Sequence, residues 1–179
     1  MKEYKNIQDR RTEFLNLMQQ HRIIIFKICN SYCKNIIDRE DLGQEILYQL
    51  WKSFEKFDPG NDQSAKFSTW MYRVALNVAI SYYRKDKKSN ITDRLDEHVF
   101  KIAAEEVCLI DGESDSNYNL LQKFINELKD LDRALMLLYL EENSYKEIGE
   151  ILGITETNVA TKISRIKEIL KQKFINIKN

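Results

Sequence analysis

The 179-residue sequence has little proline, glycine or cysteine, with one, five and three of them respectively. Sandwiches and barrels need many tight turns, so the scarcity of turn-forming residues argues against both, whereas abundant Leu, Ile, Lys and Glu favour helix. The sequence therefore predicts an all-α protein. Its length permits one ordinary domain or two small ones, either of which could bury a core.

Long apolar runs are also missing. The longest apolar clusters, Ile23–Phe26 and Ala134–Leu140, fall well short of the roughly 20 residues that span a membrane. The segment Met1–Thr12 is polar and lacks the apolar stretch of a signal peptide. These absences predict no membrane insertion and a cytoplasmic location.

The residue types that carry metal or catalytic chemistry are few and scattered. Cys29, Cys33 and Cys108 are an odd number without a second cluster of ligands, so neither a disulfide framework nor a zinc site is indicated. His21 and His98 are isolated, and the sequence contains no glycine-rich phosphate loop or recognisable catalytic motif. We therefore expect a protein that is not an enzyme and that needs no metal or cofactor.

The sequence carries no net charge, with 28 basic and 28 acidic side chains. The balance changes along the chain, because residues 1–89 have 16 basic and 11 acidic side chains, residues 90–117 have two and eight, and residues 118–179 have ten and nine. Overall neutrality therefore does not exclude a nucleic-acid partner. Apolar periodicity also weakens over the acidic stretch, which predicts two helical domains, 1–89 and 118–179, joined by an acidic linker at 90–117. Apolar residues within the linker indicate a short helix there.

Apolar residues at helical spacing predict five helices besides the motif described next. In the first domain they cover Glu13–Tyr32, a stretch from an N-cap at Asp38 to Phe57, and a stretch from a cap at Ser68 or Thr69 to about Lys85. In the second domain they cover Tyr118–Leu128 and Leu131–Glu141. The turn residues of Asp58–Asp62 separate the second helix from the third.

A helix-turn-helix pattern begins at Ser144 and is the most specific local signal. Ser144 and Glu147 match a capping box at the start of the first helix. Gly153 supplies the left-handed residue that ends this helix, and Thr155 can cap the second one. The stripe of the second helix that is predicted to be buried contains Val159, Ile163, Ile166 and Leu170.

The polar side of the second helix carries side chains that suit DNA. Asn158, Lys162 and Arg165 share one face, where asparagine can pair with adenine and lysine or arginine with guanine in a major groove. Residues 160–179 hold six basic side chains and one acidic one, whereas a merely structural surface would mix the two signs more evenly. An amphipathic hairpin with a solvated polar face is the alternative interpretation.

Aromatic and basic residues are interleaved over residues 66–88. Cations can follow the phosphates of single-stranded DNA while aromatic rings stack on its bases. Aromatic residues at helical spacing are also what a core contains, and for Phe67 and Trp70 we favour the core. The cations for which we favour contact with DNA are Arg73, Arg84 and Lys85.

Two stretches of the sequence resemble one known family. Asp38–Lys52 followed by Phe67–Arg84 resembles domain 2 of the extracytoplasmic-function sigma factors, and the best local match is Trp70-Met-Tyr-Arg-Val-Ala-Leu-Asn77. Tyr145–Lys171 resembles their domain 4. Both motifs occur in the expected order, which is more specific than a helix-turn-helix alone.

The resemblance implies a promoter-specificity subunit that binds core RNA polymerase, recognises minus-35 and minus-10 promoter elements and promotes DNA melting. The implied contacts with the polymerase are Asp41, Gln44, Glu45, Tyr48 and Trp51. The implied minus-10 contacts are Asn61, Lys66, Ser68, Thr69, Trp70, Arg73, Asn77, Arg84 and Lys85. The implied minus-35 contacts are Ser144, Tyr145, Thr155, Glu156, Asn158, Thr161, Lys162 and Arg165. An anti-sigma factor is a further partner that the resemblance suggests.

Two other functions are compatible with the residues alone. A stand-alone helix-turn-helix regulator with an N-terminal sensing domain would bind a paired operator as a dimer and would need no polymerase. An enzyme or scaffold would use the helical hairpin only for contact with protein. An assay of transcription by core polymerase, with and without this protein, distinguishes a sigma subunit from both alternatives. Initiation depends on the protein only if it is a sigma subunit.

Overall fold

The computed structural model describes residues 2–57, 63–89 and 116–178, within which there are seven α-helices and no strand. The helices are α1 (Lys2–Tyr32), α2 (Ile36–Phe54), α3 (Gln63–Ser89), α4 (Ser116–Asn126), α5 (Asp130–Leu140), α6 (Tyr145–Leu152) and α7 (Glu156–Lys178). The all-α prediction is confirmed. Most of the predicted linker, with its helix, and the predicted turn at Asp58–Asp62 lie outside the described residues.

The chain divides into two compact units, Met1–Ala79 and Ile80–Asn179, and the boundary falls within α3. In the first unit the apolar stripe of α2 lies at the centre of the core, since Leu42, Ile46 and Leu50 are fully buried. Burial of each of these side chains stabilises the folded state by about 1.5–3 kcal/mol relative to leaving the side chain exposed to water. None of the helices in the described parts of the chain is long and apolar enough to cross a membrane.

The helix α2 differs from its prediction at both ends. Its N-cap is Asn35, so the assignment of that role to Asp38 is wrong: the Asn35 side chain accepts a hydrogen bond from the Asp38 amide at 2.7 Å and donates one to the Asp38 carboxylate at 2.5 Å. Asp38 lies in the first turn, where a carboxylate is stabilised by the positive end of the helix dipole. The helix ends at Phe54, and Phe57 lies beyond it.

The helices α1 and α3 both begin earlier than predicted. α1 starts at Lys2 and not at Glu13, and α3 starts at Gln63. The prediction that Ser68 or Thr69 caps α3 is therefore wrong, because both residues lie within the helix. Mostly polar segments, which include good helix formers such as Lys, Arg and Gln, extend both helices beyond the apolar stripes on which the predictions depend.

In the second unit α5 packs against α4, α6 and α7. Ala134, Leu135 and Leu138 of α5 are fully buried, as is Val159 of α7. Arg133 is also buried, and its guanidinium donates hydrogen bonds to the backbone carbonyls of residues 126 and 128. The first of these bonds satisfies a carbonyl that the end of α4 leaves without an intrahelical partner, and the second satisfies a carbonyl in the turn before α5.

The predicted helix-turn-helix is confirmed in its local geometry. The Ser144 hydroxyl accepts a hydrogen bond from the Glu147 amide at 3.3 Å, and the Glu147 carboxylate accepts one from the Ser144 amide at 2.8 Å. Gly153 ends α6 in the left-handed conformation with φ 69°. The Thr155 hydroxyl accepts a hydrogen bond from the Asn158 amide at 3.3 Å, as expected of the residue that caps α7.

A second glycine, Gly149, allows the turn to fold back on α6. A Cβ atom at this position would lie 2.7 Å from the carbonyl oxygen of Ile154, and the Ile154 amide donates to the Gly149 carbonyl at 3.0 Å. The approach is too close for any side chain. Gly149 therefore determines where α7 begins relative to α6. No role was predicted for this residue from the sequence; its signal was a glycine inside a predicted helix.

Candidate polymerase-binding and DNA-binding surfaces

The five residues predicted to contact polymerase lie together on the exposed side of α2. They are Asp41, Gln44, Glu45, Tyr48 and Trp51, and each is exposed. Helical spacing puts them opposite the buried face of α2. Ile37 lies at the same register, four residues before Asp41, and is 68% exposed. The prediction missed Ile37 because it placed the start of the helix at Asp38; its signal was an aliphatic residue in register with the predicted contact residues.

We call this surface the α2 stripe; it runs from Ile37 to Trp51 on the exposed side of the helix. Trp51 connects the α2 stripe to the core. The Trp51 ring packs edge-on against Phe14 of α1, with 5.1 Å between centroids, and the residue is 44% exposed. One side of the indole is therefore held in place while the other is open. The open side of the indole and the carboxylates of Asp41 and Glu45 form a surface suited to a partner with basic and apolar groups.

The aromatic residues around the start of α3 form one cluster. Phe67 is fully buried, with ring centroids 5.5 Å from Phe57 and 5.3 Å from Trp70, which confirms our preference for the core at this position. Trp70 is only half-buried, and its ring centroid lies 4.9 Å from that of Phe57. Trp70 therefore packs against the cluster and also remains partly accessible to solvent.

The remaining predicted minus-10 residues on α3 differ in exposure. Ser68 and Thr69 are half-buried, whereas Arg73 and Asn77 are exposed and lie one turn apart on the same side. Arg84 is exposed and belongs to the second unit, where its Nε donates to Asp130 at 3.2 Å. Lys66 and Lys85 occupy positions on α3, and Asn61 lies outside the described residues.

The predicted minus-35 residues on α7 are not equally available. Asn158, Thr161 and Arg165 are exposed, as is Glu156 in the first turn. Thr161 donates its hydroxyl to a backbone carbonyl one turn earlier at 2.9 Å, so that its oxygen remains as an acceptor. Lys162 differs from the others, because its side chain is only 34% exposed to solvent. Ser164 is exposed next to Arg165 and was not selected from the sequence.

The start of α6 is already satisfied by its own capping box. The Glu147 carboxylate accepts hydrogen bonds from the Ser144 hydroxyl at 2.7 Å and from the Ser144 amide at 2.8 Å. Both bonds lower the pKa of Glu147, the hydroxyl contributing more. A phosphate that approached Ser144 would have to displace this carboxylate. Tyr145, the next predicted contact, is half-buried, and its ring lies 6.3 Å from that of Tyr139.

The described residues contain no group of three or more His, Cys, Asp or Glu side chains arranged to hold a metal ion. Cys29 and Cys33 are both buried, and burial raises the pKa of Cys29 to about 11. A thiol of such high pKa is protonated at neutral pH and therefore a poor nucleophile and ligand. Burial also lowers the pKa of His21, which favours the neutral imidazole.

Two helical units, one with a helix-turn-helix and the other with an exposed acidic and aromatic stripe, are the features expected of a helical DNA-binding protein with a second exposed surface. Residues 17–89 match Sigma-70 region 2, and residues 118–170 match Sigma-70, region 4. The two matches together cover more than half of the chain. The chain belongs to the sigma-70 family, in its extracytoplasmic-function group.

Similar proteins support this assignment along nearly the whole length. The ECF RNA polymerase sigma factor SigW of Bacillus subtilis (strain 168) is 29% identical over 167 residues, which are 89% of this chain and 87% of that protein. SigM, an ECF RNA polymerase sigma factor of the same strain, is 29% identical over 157 residues, 87% of this chain and 91% of that protein.

Solved structures share the fold at lower identity. CnrH, determined in complex with the cytosolic domain of CnrY, matches with a TM-score of 0.63 and 17% identity over 93% of this chain and 90% of that chain. The sigma factor RpoE of Bartonella quintana, determined with the anti-sigma factor NepR, matches with a TM-score of 0.57 and 17% identity over 92% and 96%.

Proposed function

We propose that the protein is a sigma subunit that binds core RNA polymerase, recognises minus-35 and minus-10 elements of a promoter and promotes DNA melting for initiation. The observation that carries this proposal is the presence, in one chain, of the exposed α2 stripe and an exposed polar face on α7. A stand-alone regulator needs the second surface but not the first. The protein acts in the cytoplasm and performs no catalysis of its own.

The α2 stripe is the surface that we assign to core polymerase. The carboxylates of Asp41 and Glu45 attract basic groups, and the open sides of Tyr48 and Trp51 provide apolar contact area. Aromatic residues surrounded by polar groups are typical of the residues that dominate binding energy at protein interfaces. Ile37 extends this contact toward the start of the helix.

The helix α3 is the surface that we assign to the minus-10 element. Extruding a base from the duplex costs a few kcal/mol, and stacking on an aromatic side chain offsets about 1–3 kcal/mol per base. The solvent-facing part of Trp70 offers such a surface, because the cluster behind it holds the ring in place. Arg73 and Asn77 lie along the same helix, where they can contact the phosphates and edges of the melted strand.

The helix α7 is assigned to the major groove of the minus-35 element. Asn158, Thr161 and Arg165 are exposed on consecutive turns and provide an amide, a hydroxyl and a guanidinium for base edges and phosphates. The anchored turn at Gly149 and Gly153 presents this face at a fixed angle from α6. We also propose an anti-sigma factor as a regulatory partner, as seen with the structurally similar RpoE of Bartonella quintana.

Run-off transcription on fragmented genomic DNA tests the proposal. Purified protein is added to core RNA polymerase, and the 5′ ends of the transcripts are sequenced. We expect initiation only when both are present, at sites that share two upstream sequence elements. Protein that fails to direct initiation at any site, but binds duplex operators tightly without polymerase, would instead be a regulator.

A further inference from the structure

Two lysines of the basic helix α7 turn back toward carboxylates of their own unit. Lys162 Nζ lies 3.9 Å from Oδ1 of Asp132 in α5, and Lys173 pairs with Glu127 between α4 and α5. Fewer of the six basic side chains in residues 160–179 are therefore available to an external partner than the sequence alone indicates. Arg165, in contrast, is exposed on the face that we assign to DNA.

A third lysine, Lys167, is directed toward Tyr139 of α5. Its Nζ donates to the Tyr139 hydroxyl at 2.6 Å and lies 4.1 Å from the centroid of the ring. The hydrogen bond with Tyr139 is the main cause of a raised pKa at Lys167, which keeps the amine protonated. The lysine therefore retains its charge but is drawn toward α5, on the side of α7 away from Arg165.

The pair formed by Lys162 and Asp132 lies nearest the predicted DNA-contact face. Both side chains are partly buried, at 34% and 30% exposure. Salt screens partly buried charges less than fully exposed ones, so this attraction persists at moderate ionic strength. Lys162 is also four residues from Asn158 and three from Arg165, which places all three on one flank of α7.

We propose that Asp132 is an intramolecular counterion for the DNA-binding helix, which holds Lys162 in a neutral pair and keeps the DNA affinity of the free protein low. The inference rests on the proposed assignment of α7 to DNA. A lysine strengthens DNA binding because it releases counterions condensed on the phosphates. A lysine that is already paired must first give up its carboxylate, so Lys162 contributes less than the exposed Arg165.

The test measures binding of the full-length protein to a fluorescently labelled, mixed-sequence DNA duplex by anisotropy at a series of KCl concentrations. The variant is Asp132→Asn, and the matched control is Glu142→Gln, which changes the charge equally. Glu142 is exposed, and within the described part of the chain no ion pair involves it. We expect Asp132→Asn to bind about two- to fivefold more tightly than the control at low salt. We also expect its log–log salt slope to steepen by up to about 0.9.

Two further variants separate this inference from the function on which it rests. Arg165→Ala should weaken binding and flatten the slope by up to about 0.9, and Lys162→Ala should do so by less. In the Lys162→Ala background, Asp132→Asn should change the affinity no more than the control does. Equal effects of Asp132→Asn and Glu142→Gln in the otherwise unchanged protein would overturn the counterion inference alone. An Arg165→Ala variant with unchanged binding would instead overturn the assignment of α7 to DNA.

Discussion

The replacement Gly149→Ala sets two physical effects of opposite sign against each other. Inside a helix, alanine is normally more favourable than glycine by about 0.5–1 kcal/mol, because glycine loses more backbone freedom on folding. At Gly149, however, the new Cβ would lie 2.7 Å from the Ile154 carbonyl oxygen. That oxygen belongs to the backbone of the turn and cannot move away as a flexible side chain would.

The geometry gives the magnitude of the effect. An ordinary contact of this kind begins near 3.4 Å, so the turn must shift by about 0.7 Å, and forced overpacking typically costs about 1–3 kcal/mol. After the gain in helix propensity is subtracted, Gly149→Ala should destabilise the second unit by roughly 0.5–2 kcal/mol. For a domain of 60–100 residues, each 1 kcal/mol lowers the melting temperature by about 4–8 °C.

The matched control is Gly43→Ala in α2. A Cβ at Gly43 would lie 3.8 Å from Cys29 Sγ, an ordinary van der Waals contact, so this variant should gain stability by about 0.5–1 kcal/mol. Urea unfolding followed by circular dichroism measures both changes. If Gly149→Ala stabilises the protein as much as Gly43→Ala does, the close approach at the turn does not constrain the motif and our reasoning is refuted.

Three other changes test separate features of the structure. Gln44→Ala combined with Glu45→Ala should reduce binding to core polymerase without unfolding the protein, as measured by holoenzyme assembly on gel filtration. Arg133→Ala should cost about 1.5–3 kcal/mol in urea unfolding, because the carbonyls of residues 126 and 128 lose hydrogen bonds to a charged group. Because its folded pKa is lowered, the Glu147 carboxylate stabilises the protein at pH above its ordinary value of 4.5. The stability difference between wild type and Glu147→Gln should therefore shrink as the pH falls through the folded pKa.

Each of these predictions has its own control. Gln8 and Asp9 form an exposed pair on α1 that also combines an amide and a carboxylate, and replacing both by alanine should leave assembly unchanged. Equal losses in the two double variants would argue against the α2 stripe. Arg133→Lys keeps the charge but lacks the planar guanidinium group, and its stability should lie between those of the wild type and Arg133→Ala. An Arg133→Ala variant with unchanged stability would contradict the capping role. A pH-independent stability difference at Glu147 would mean that its charge is unimportant.

Local sequence patterns predicted the parts of the fold that depend on local physics. The spacing of Leu42, Ile46 and Leu50 identified the buried face of α2, and the capping box and Gly153 identified the ends of α6. The start of α2 was misplaced because Asn35 and Asp38 are both good N-cap residues and bond to each other reciprocally. Which of the two caps the helix depends on backbone dihedrals, which residue type alone does not determine.

The features that the sequence did not predict depend on contacts between distant or differently oriented residues. The role of Gly149 follows from the fold of the turn at Ile154, and the pairing of Lys162 follows from the position of Asp132, 30 residues earlier on another helix. The starts of α1 and α3 contain few apolar residues, so periodicity could not reveal them. Residue type and spacing selected the face of α7 but not the availability of each side chain on it.

The aromatic contacts of the first unit also provide a spectroscopic signal. The chain's two tryptophans, Trp51 and Trp70, both lie within Met1–Ala79 and pack against Phe14 and Phe57. Intrinsic tryptophan emission therefore reports on that unit, whereas circular dichroism reports on helices of both. Coincident transitions in the two signals would indicate cooperative unfolding of the whole chain, and separate transitions would give each unit its own stability.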